Sequence, residues 1–196
     1  MGVSHPKAPW VPILLRSAIA AVYGAVTIFW QEPTVAVLAV AGGIYLVLTG
    51  VSVWRMSALA KTCGVALVPA ALLAAAAVYA VVGVLVAVVQ SVQVFAYAAG
   101  AALVFGGVVE LVLWFRARKL FVPARDWLIT GVVGIGAGVL LPVFLALPDG
   151  SHAQALLGVS GGAAVITAVI LAISGLGLRH DASLSRDSME ASKAVN

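Results

Sequence analysis

The chain has 196 residues, of which 63% are hydrophobic and only 9% charged, with a formal net charge of +4 and a mean hydropathy of +1.16. A soluble domain carries about 25% charged residues, and no water-soluble fold hides this much apolar surface. The composition therefore excludes a soluble enzyme or adaptor and points to an integral membrane protein whose first partner is the lipid bilayer.

Hydropathy predicts six spans, at about 11–30, 34–55, 65–89, 92–115, 126–147 and 153–176. Each is long enough to cross a hydrocarbon core of roughly 30 Å at 1.5 Å per residue. The runs are apolar all round, which argues for helices and against a barrel of alternating strands. The first run, Pro12 to Trp30, follows Lys7 but contains Arg16, and its pattern recurs downstream. It reads as a retained helix, not a leader. Gln31, Glu32 and Pro33 break it, and Thr34 opens the second span. Gln90 and Ser91 separate spans three and four, and the stretch Leu147 to His152 separates five and six. Pro142 inside span five is expected to kink it. The fold class is thus an all-α membrane protein with six transmembrane helices. Residues 1–178 form the membrane domain, with hairpins at about 11–55, 65–115 and 126–176. The polar tail 179–196 is expected to be disordered.

All eleven lysines and arginines lie on one side of the alternation: Lys7, Arg16, Arg55, Lys61, Arg116, Arg118, Lys119, Arg125, Arg179, Arg186 and Lys193. The basic balance therefore reads as a marked membrane face, with no nucleic-acid partner, and it predicts that both termini are cytoplasmic. Trp10, Trp30, Trp54, Trp114 and Trp127 fall at span ends, where an indole prefers the headgroup level.

Small residues recur. Gly24, Gly83 and Gly138 sit mid-helix in spans one, three and five. The following spans carry Gly43 and Gly50, Gly100 and Gly107, and Gly161 and Ala168, each pair seven apart. This predicts three parallel hairpin repeats related by rotation about the membrane normal. Lipid tails are as apolar as leucine, so close backbone contact at small residues must hold helices together. Candidate packing stripes are Ala20 with Gly24, Ala98 with Ala102 and Gly106, Gly134 with Gly138, and Gly158 with Gly162. The same surfaces leave a homo-oligomer open.

Two charges fall inside spans. Arg16 continues the Ala20–Gly24 stripe and Glu110 continues the Ala98–Ala102–Gly106 stripe. Both therefore face other helices, at similar depth, which fits either an intramembrane ion pair between them or two side chains that each snorkel to the cytoplasmic headgroups. The basic loop residues Arg116, Arg118, Lys119 and Arg125 are candidates for anionic-lipid or protein contact, although no partner protein can be named. No catalytic constellation, phosphate loop or His/Asp/Glu metal pair is legible. Cys63 stands alone, and His5, His152 and His180 lie in terminal or turn segments. No catalytic residue, cofactor or metal is expected, and the midplane offers only Tyr23, Tyr45, Tyr79 and Tyr97, with Thr27 and Thr167 nearby.

The hairpin resembles that of the HdeD-type acid-resistance membrane proteins, bacterial inner-membrane proteins with six spans. The pattern of an arginine, a mid-helix glycine and an aromatic-x-x-proline turn stands here as Arg16, Gly24 and Trp30-Gln31-Glu32-Pro33, followed by Gly43, Tyr45 and Gly50. Ala75 replaces the arginine in the second copy and Thr130 in the third. The resemblance implies a stress-related, non-enzymatic role in a bacterial inner membrane, with no catalytic residue to carry over. The residues themselves leave two rivals open. One is a small channel or uniporter; the other is a scaffold docking a partner through its basic loop.

Overall fold

The computed structural model describes residues 10–30, 32–61, 67–119, 122–147 and 152–195. Lys7, Gln31, Cys63 and residues 148–151 of the third turn lie outside the described residues. Six helices cross in succession: α1 Trp10–Phe29, α2 Val35–Ala60, α3 Leu67–Val89, α4 Val92–Ala117, α5 Trp127–Leu145 and α6 His152–Val195. All six are long and apolar enough to span a membrane, and no strand occurs among the described residues. The chain is an all-α, multi-pass membrane protein.

Local chemistry sets the helix ends. The Thr34 hydroxyl accepts from Val37 N at 3.3 Å, and the Ser91 hydroxyl from Val94 N at 3.4 Å, so both turns supply an N-cap to the helix they start. The two-residue reversal between α3 and α4 requires Gln90 in the left-handed region, at φ 49°, the conformation that commonly terminates a helix. Two features differ from the sequence reading. Residues Phe95–Ala99 of α4 form a π-helical turn, which hydropathy cannot register. The segment from Arg179 to Val195, expected to be disordered, continues α6 as helix. Its sequence contains neither glycine nor proline to stop it.

The closest seams lie between hairpins, not within them: α2 against α3, α4 against α5, and α6 against α1. Each seam is built on the repeated small residues. A Cβ on Gly43 would stand 2.6 Å from Gly83 O, one on Gly138 would stand 2.5 Å from Gly100 O, and one on Gly24 would stand 2.5 Å from Val165 Cγ2 near Gly161. Seven residues further along the antiparallel partners, Gly50 meets Ala76, Gly107 meets Gly131, and the Ser17 hydroxyl donates to Ala168 O at 2.8 Å. Seven residues are nearly two helical turns, so the contacts stay on one face. Gly134 also packs on α4, beside Leu103 O. Gly158 and Gly162 need correction: nothing approaches within 4 Å of either missing Cβ. A spacing of four places them on one face of α6, but that face is the outward one.

The helices α2, α4 and α6 are the more buried, at 44%, 39% and 44% of their most apolar windows, against 28%, 33% and 28% for α1, α3 and α5. They form the inner trio. Gly83→Val, which places a branched side chain against the α2 backbone, should destabilise the protein in detergent unfolding by about 1–3 kcal/mol. Gly158→Ala and Gly162→Ala should stay within about 0.5 kcal/mol of wild type. Equal effects at all three positions would contradict the assignment of the seams.

Candidate functional site

The inner trio and its neighbours bring polar side chains from all six helices to the middle of the bundle. Arg16 on α1 and Glu110 on α4 each lie about 10 Å from the basic end of their helices at 1.5 Å per residue. Arg16 Nη1 is 2.5 Å from Glu110 Oε1, with side-chain exposures of 15% and 5%. The Thr130 hydroxyl on α5 donates to the other carboxylate oxygen, Glu110 Oε2, also at 2.5 Å, and its second acceptor, Asp126 O, is farther at 3.1 Å. The single hydroxyl proton thus goes to the carboxylate. Charge-assisted bonds of this kind are about twice as strong as neutral ones. Both carboxylate oxygens are engaged, which a charge taken from water requires.

Toward the other end, the Tyr23 and Tyr45 rings stack at 4.4 Å between centroids and 9° between planes. The Tyr23 and Ser160 hydroxyls are 2.7 Å apart. The Ser160 proton is directed to Leu156 O at 2.9 Å, so Tyr23 is the donor to Ser160. Gly106 leaves room for the Tyr79 hydroxyl, which occupies the space a Cβ would need. Thr49 is 3% exposed and its Oγ1 makes no hydrogen bond, although the Tyr45 phenol is close enough to interact with it. A buried hydroxyl left unpaired costs about 1–3 kcal/mol. These groups enclose a cavity of about 30 Å³, lined by Arg16, Tyr45, Thr49, Tyr79, Thr130, Ser160 and Thr167 among others.

A second, smaller cavity of about 20 Å³ lies on the basic side of Arg16. Asp126 stands there, accepting from the Ser174 hydroxyl at 2.6 Å. At the opposite end a wide vestibule is framed by Glu32, Thr34, Val92 and His152, where α2, α4 and α6 begin. The basic loop residues are elsewhere. Arg116, Arg118, Lys119 and Arg125 are all exposed, and Arg118 lies 4.7 Å over the Trp114 ring, a cation–π contact that leaves its charge near the surface.

The structure thus joins Arg16 to Glu110, keeps the basic loop apart from them, brings the midplane Tyr23 to Ser160, and adds Thr130 and Ser160, to which sequence reasoning assigned no site role. Thr130 had a signal: it holds in the third hairpin the place of Arg16 in the first. Of the midplane tyrosines, Tyr97 points outward at 62% exposure, and Thr27 bonds back to Gly24 O at 2.7 Å. No group of three or more His, Cys, Asp or Glu side chains that could hold a metal occurs among the described residues. Comparison with family models, curated proteins and solved structures found no match.

Breaking only one half of the pair should be worse than removing both. Arg16→Leu leaves Glu110 buried with one hydroxyl partner, whereas Arg16→Leu with Glu110→Leu leaves a dry apolar core. A double-mutant cycle on detergent unfolding should give a coupling of about 1 kcal/mol or more. Additive single effects would show that the two charges do not support each other.

Proposed function

We propose that this chain is a non-enzymatic protein of a bacterial cytoplasmic membrane, of the stress-tolerance type implied by the HdeD-like hairpin, with its working part in the buried polar core. The observation that carries this reading is the Arg16–Glu110–Thr130 cluster. Packing alone does not call for it, since leucines of similar volume fill a helix bundle in lipid without desolvating a charge. Ionisable groups kept inside a membrane mark function more often than structure. The one-sided lysines and arginines support a cytoplasmic basic end and cytoplasmic termini. The equivalent seams of Gly24, Gly83 and Gly138 support three hairpin copies arranged around an axis along the membrane normal.

A second reading is favoured by a separate observation. The vestibule, the polar cavity and the cavity beyond Arg16 follow one another along α2 and α6. On this reading the protein is a narrow conduit for a small polar species, and the described arrangement is its closed form.

The test of the leading reading is survival. A strain of the source bacterium lacking the protein should survive acid challenge about tenfold less well than its parent. Wild-type protein should restore survival, and the Arg16→Leu/Glu110→Leu double variant, expressed at matched level, should not. A deletion strain as resistant as the parent, or full rescue by the double variant, would overturn it.

A further inference from the structure

From the vestibule inward, α2, α4 and α6 run through the same succession. Thr34, Val92 and His152 stand at the rim. About one turn in, Leu38, Phe95 and Leu156 are 0%, 2% and 0% exposed, and the Phe95 ring fills the space left by Gly42. Leu38, Phe95 and Leu156 each precede by five residues the repeated glycine of their helix, Gly43, Gly100 and Gly161, so they fall at one depth. The π-helical turn Phe95–Ala99 begins at this level, a local rearrangement often found at functional positions. An apolar layer of this kind excludes water.

Beyond the layer the character reverses. The polar cavity of about 30 Å³ and the one of about 20 Å³ on the basic side share a single wall residue, Arg16. A water needs at least about 10–15 Å³ of such space and two to four polar partners. The larger cavity therefore has room for two waters and the smaller for one. The partners are present: the unbonded Thr49 Oγ1, and the Tyr45, Tyr79 and Thr167 hydroxyls in the same wall. Arg16 and Glu110 cancel in charge, so the larger cavity offers hydrogen bonds without a net field to attract an ion.

We propose that the two cavities form a water-filled half-channel, entered from the basic end past Arg16 and closed toward the vestibule by Leu38, Phe95 and Leu156. Its ligand is water, held by Thr49, Thr167 and the Tyr45 and Tyr79 phenols. The half-channel gives Thr49 Oγ1 a close hydrogen bond beside its longer approach to the Tyr45 phenol and places the Arg16–Glu110 pair as the inner constriction. This rests on the conduit reading, yet hydration is measurable without transport, so a dry cavity and a wet but non-conducting one are told apart.

The test is hydroxyl-radical footprinting by brief X-ray irradiation of the full-length protein in lipid nanodiscs, after rapid mixing with ¹⁸O-labelled water. Tyr45 and Tyr79 should be oxidised severalfold more than Phe95, and should carry the heavy isotope. Thr49→Val, which keeps the shape and removes the hydroxyl, should lower their labelling severalfold. The wild-type comparison stands by itself if that variant folds poorly. Tyr45, Tyr79 and Phe95 all left unoxidised would overturn the hydrated cavity. Tyr45, Tyr79 and Phe95 all oxidised to a similar extent would overturn the closed end.

Discussion

The Arg16–Glu110 pair is the contact on which the interior depends. It reaches across the middle of the bundle from α1 to α4, whose closest seams are with α6 and α5 instead. Thr130 on α5 completes the carboxylate's hydrogen bonding. Three helices are thereby held at one depth by groups that cannot be left unpaired in a low-dielectric interior. The arrangement specifies where these helices stand more than it adds stability, because the desolvation of two charges offsets much of their attraction. It also explains why the surroundings are polar. Tyr45, Thr49 and Tyr79 face the same cavity as the guanidinium, and hydroxyls near a buried charge cost less than hydrocarbon would.

Around this centre the bundle is closed by shape. Lipid gives no hydrophobic advantage to helix contact, so close approach at small residues must supply it. Gly43 with Gly83, Gly100 with Gly138 and Gly24 beside Gly161 do this at three seams. The seam between α1 and α2 is more open. It leaves an apolar groove lined by Val22, Val26, Ile44 and Leu48. The alternation of tight and open seams groups the helices into the pairs α2/α3, α4/α5 and α6/α1.

Much of this was legible in the sequence. Length and uniform apolarity reveal six spans because the bilayer permits so few alternatives. The Arg16–Glu110 contact was partly legible: each charge extends a stripe of small residues at spacing four, and such stripes face other helices, but spacing does not separate a pair from two side chains that snorkel to the headgroups. The same logic misplaced Gly158 and Gly162, since spacing identifies a shared face without saying whether it points inward. Likewise Tyr23, Tyr45 and Tyr79 turn to the core and Tyr97 to the outside, although all four look alike in a hydropathy profile. The hairpins suggested by the turns are neighbours in sequence, yet turns tie only helix ends, and the closest contacts formed between hairpins instead. The π-helical turn at Phe95–Ala99 and the extension of α6 to Val195 depend on backbone hydrogen bonding and on the absence of a helix breaker, neither of which periodicity reports.

The central claim is that the guanidinium and the carboxylate meet inside the membrane domain, and a distance between them tests it most directly. In lipid bilayers, solid-state NMR dipolar recoupling between ¹⁵N in the Arg16 guanidinium and ¹³C in the Glu110 carboxyl should read about 3–4 Å, as an ion pair in hydrogen-bond contact requires. Assignment is secured by loss of the signal in Arg16→Lys. A distance beyond about 6 Å, with each side chain drawn separately to the headgroups, would contradict the account.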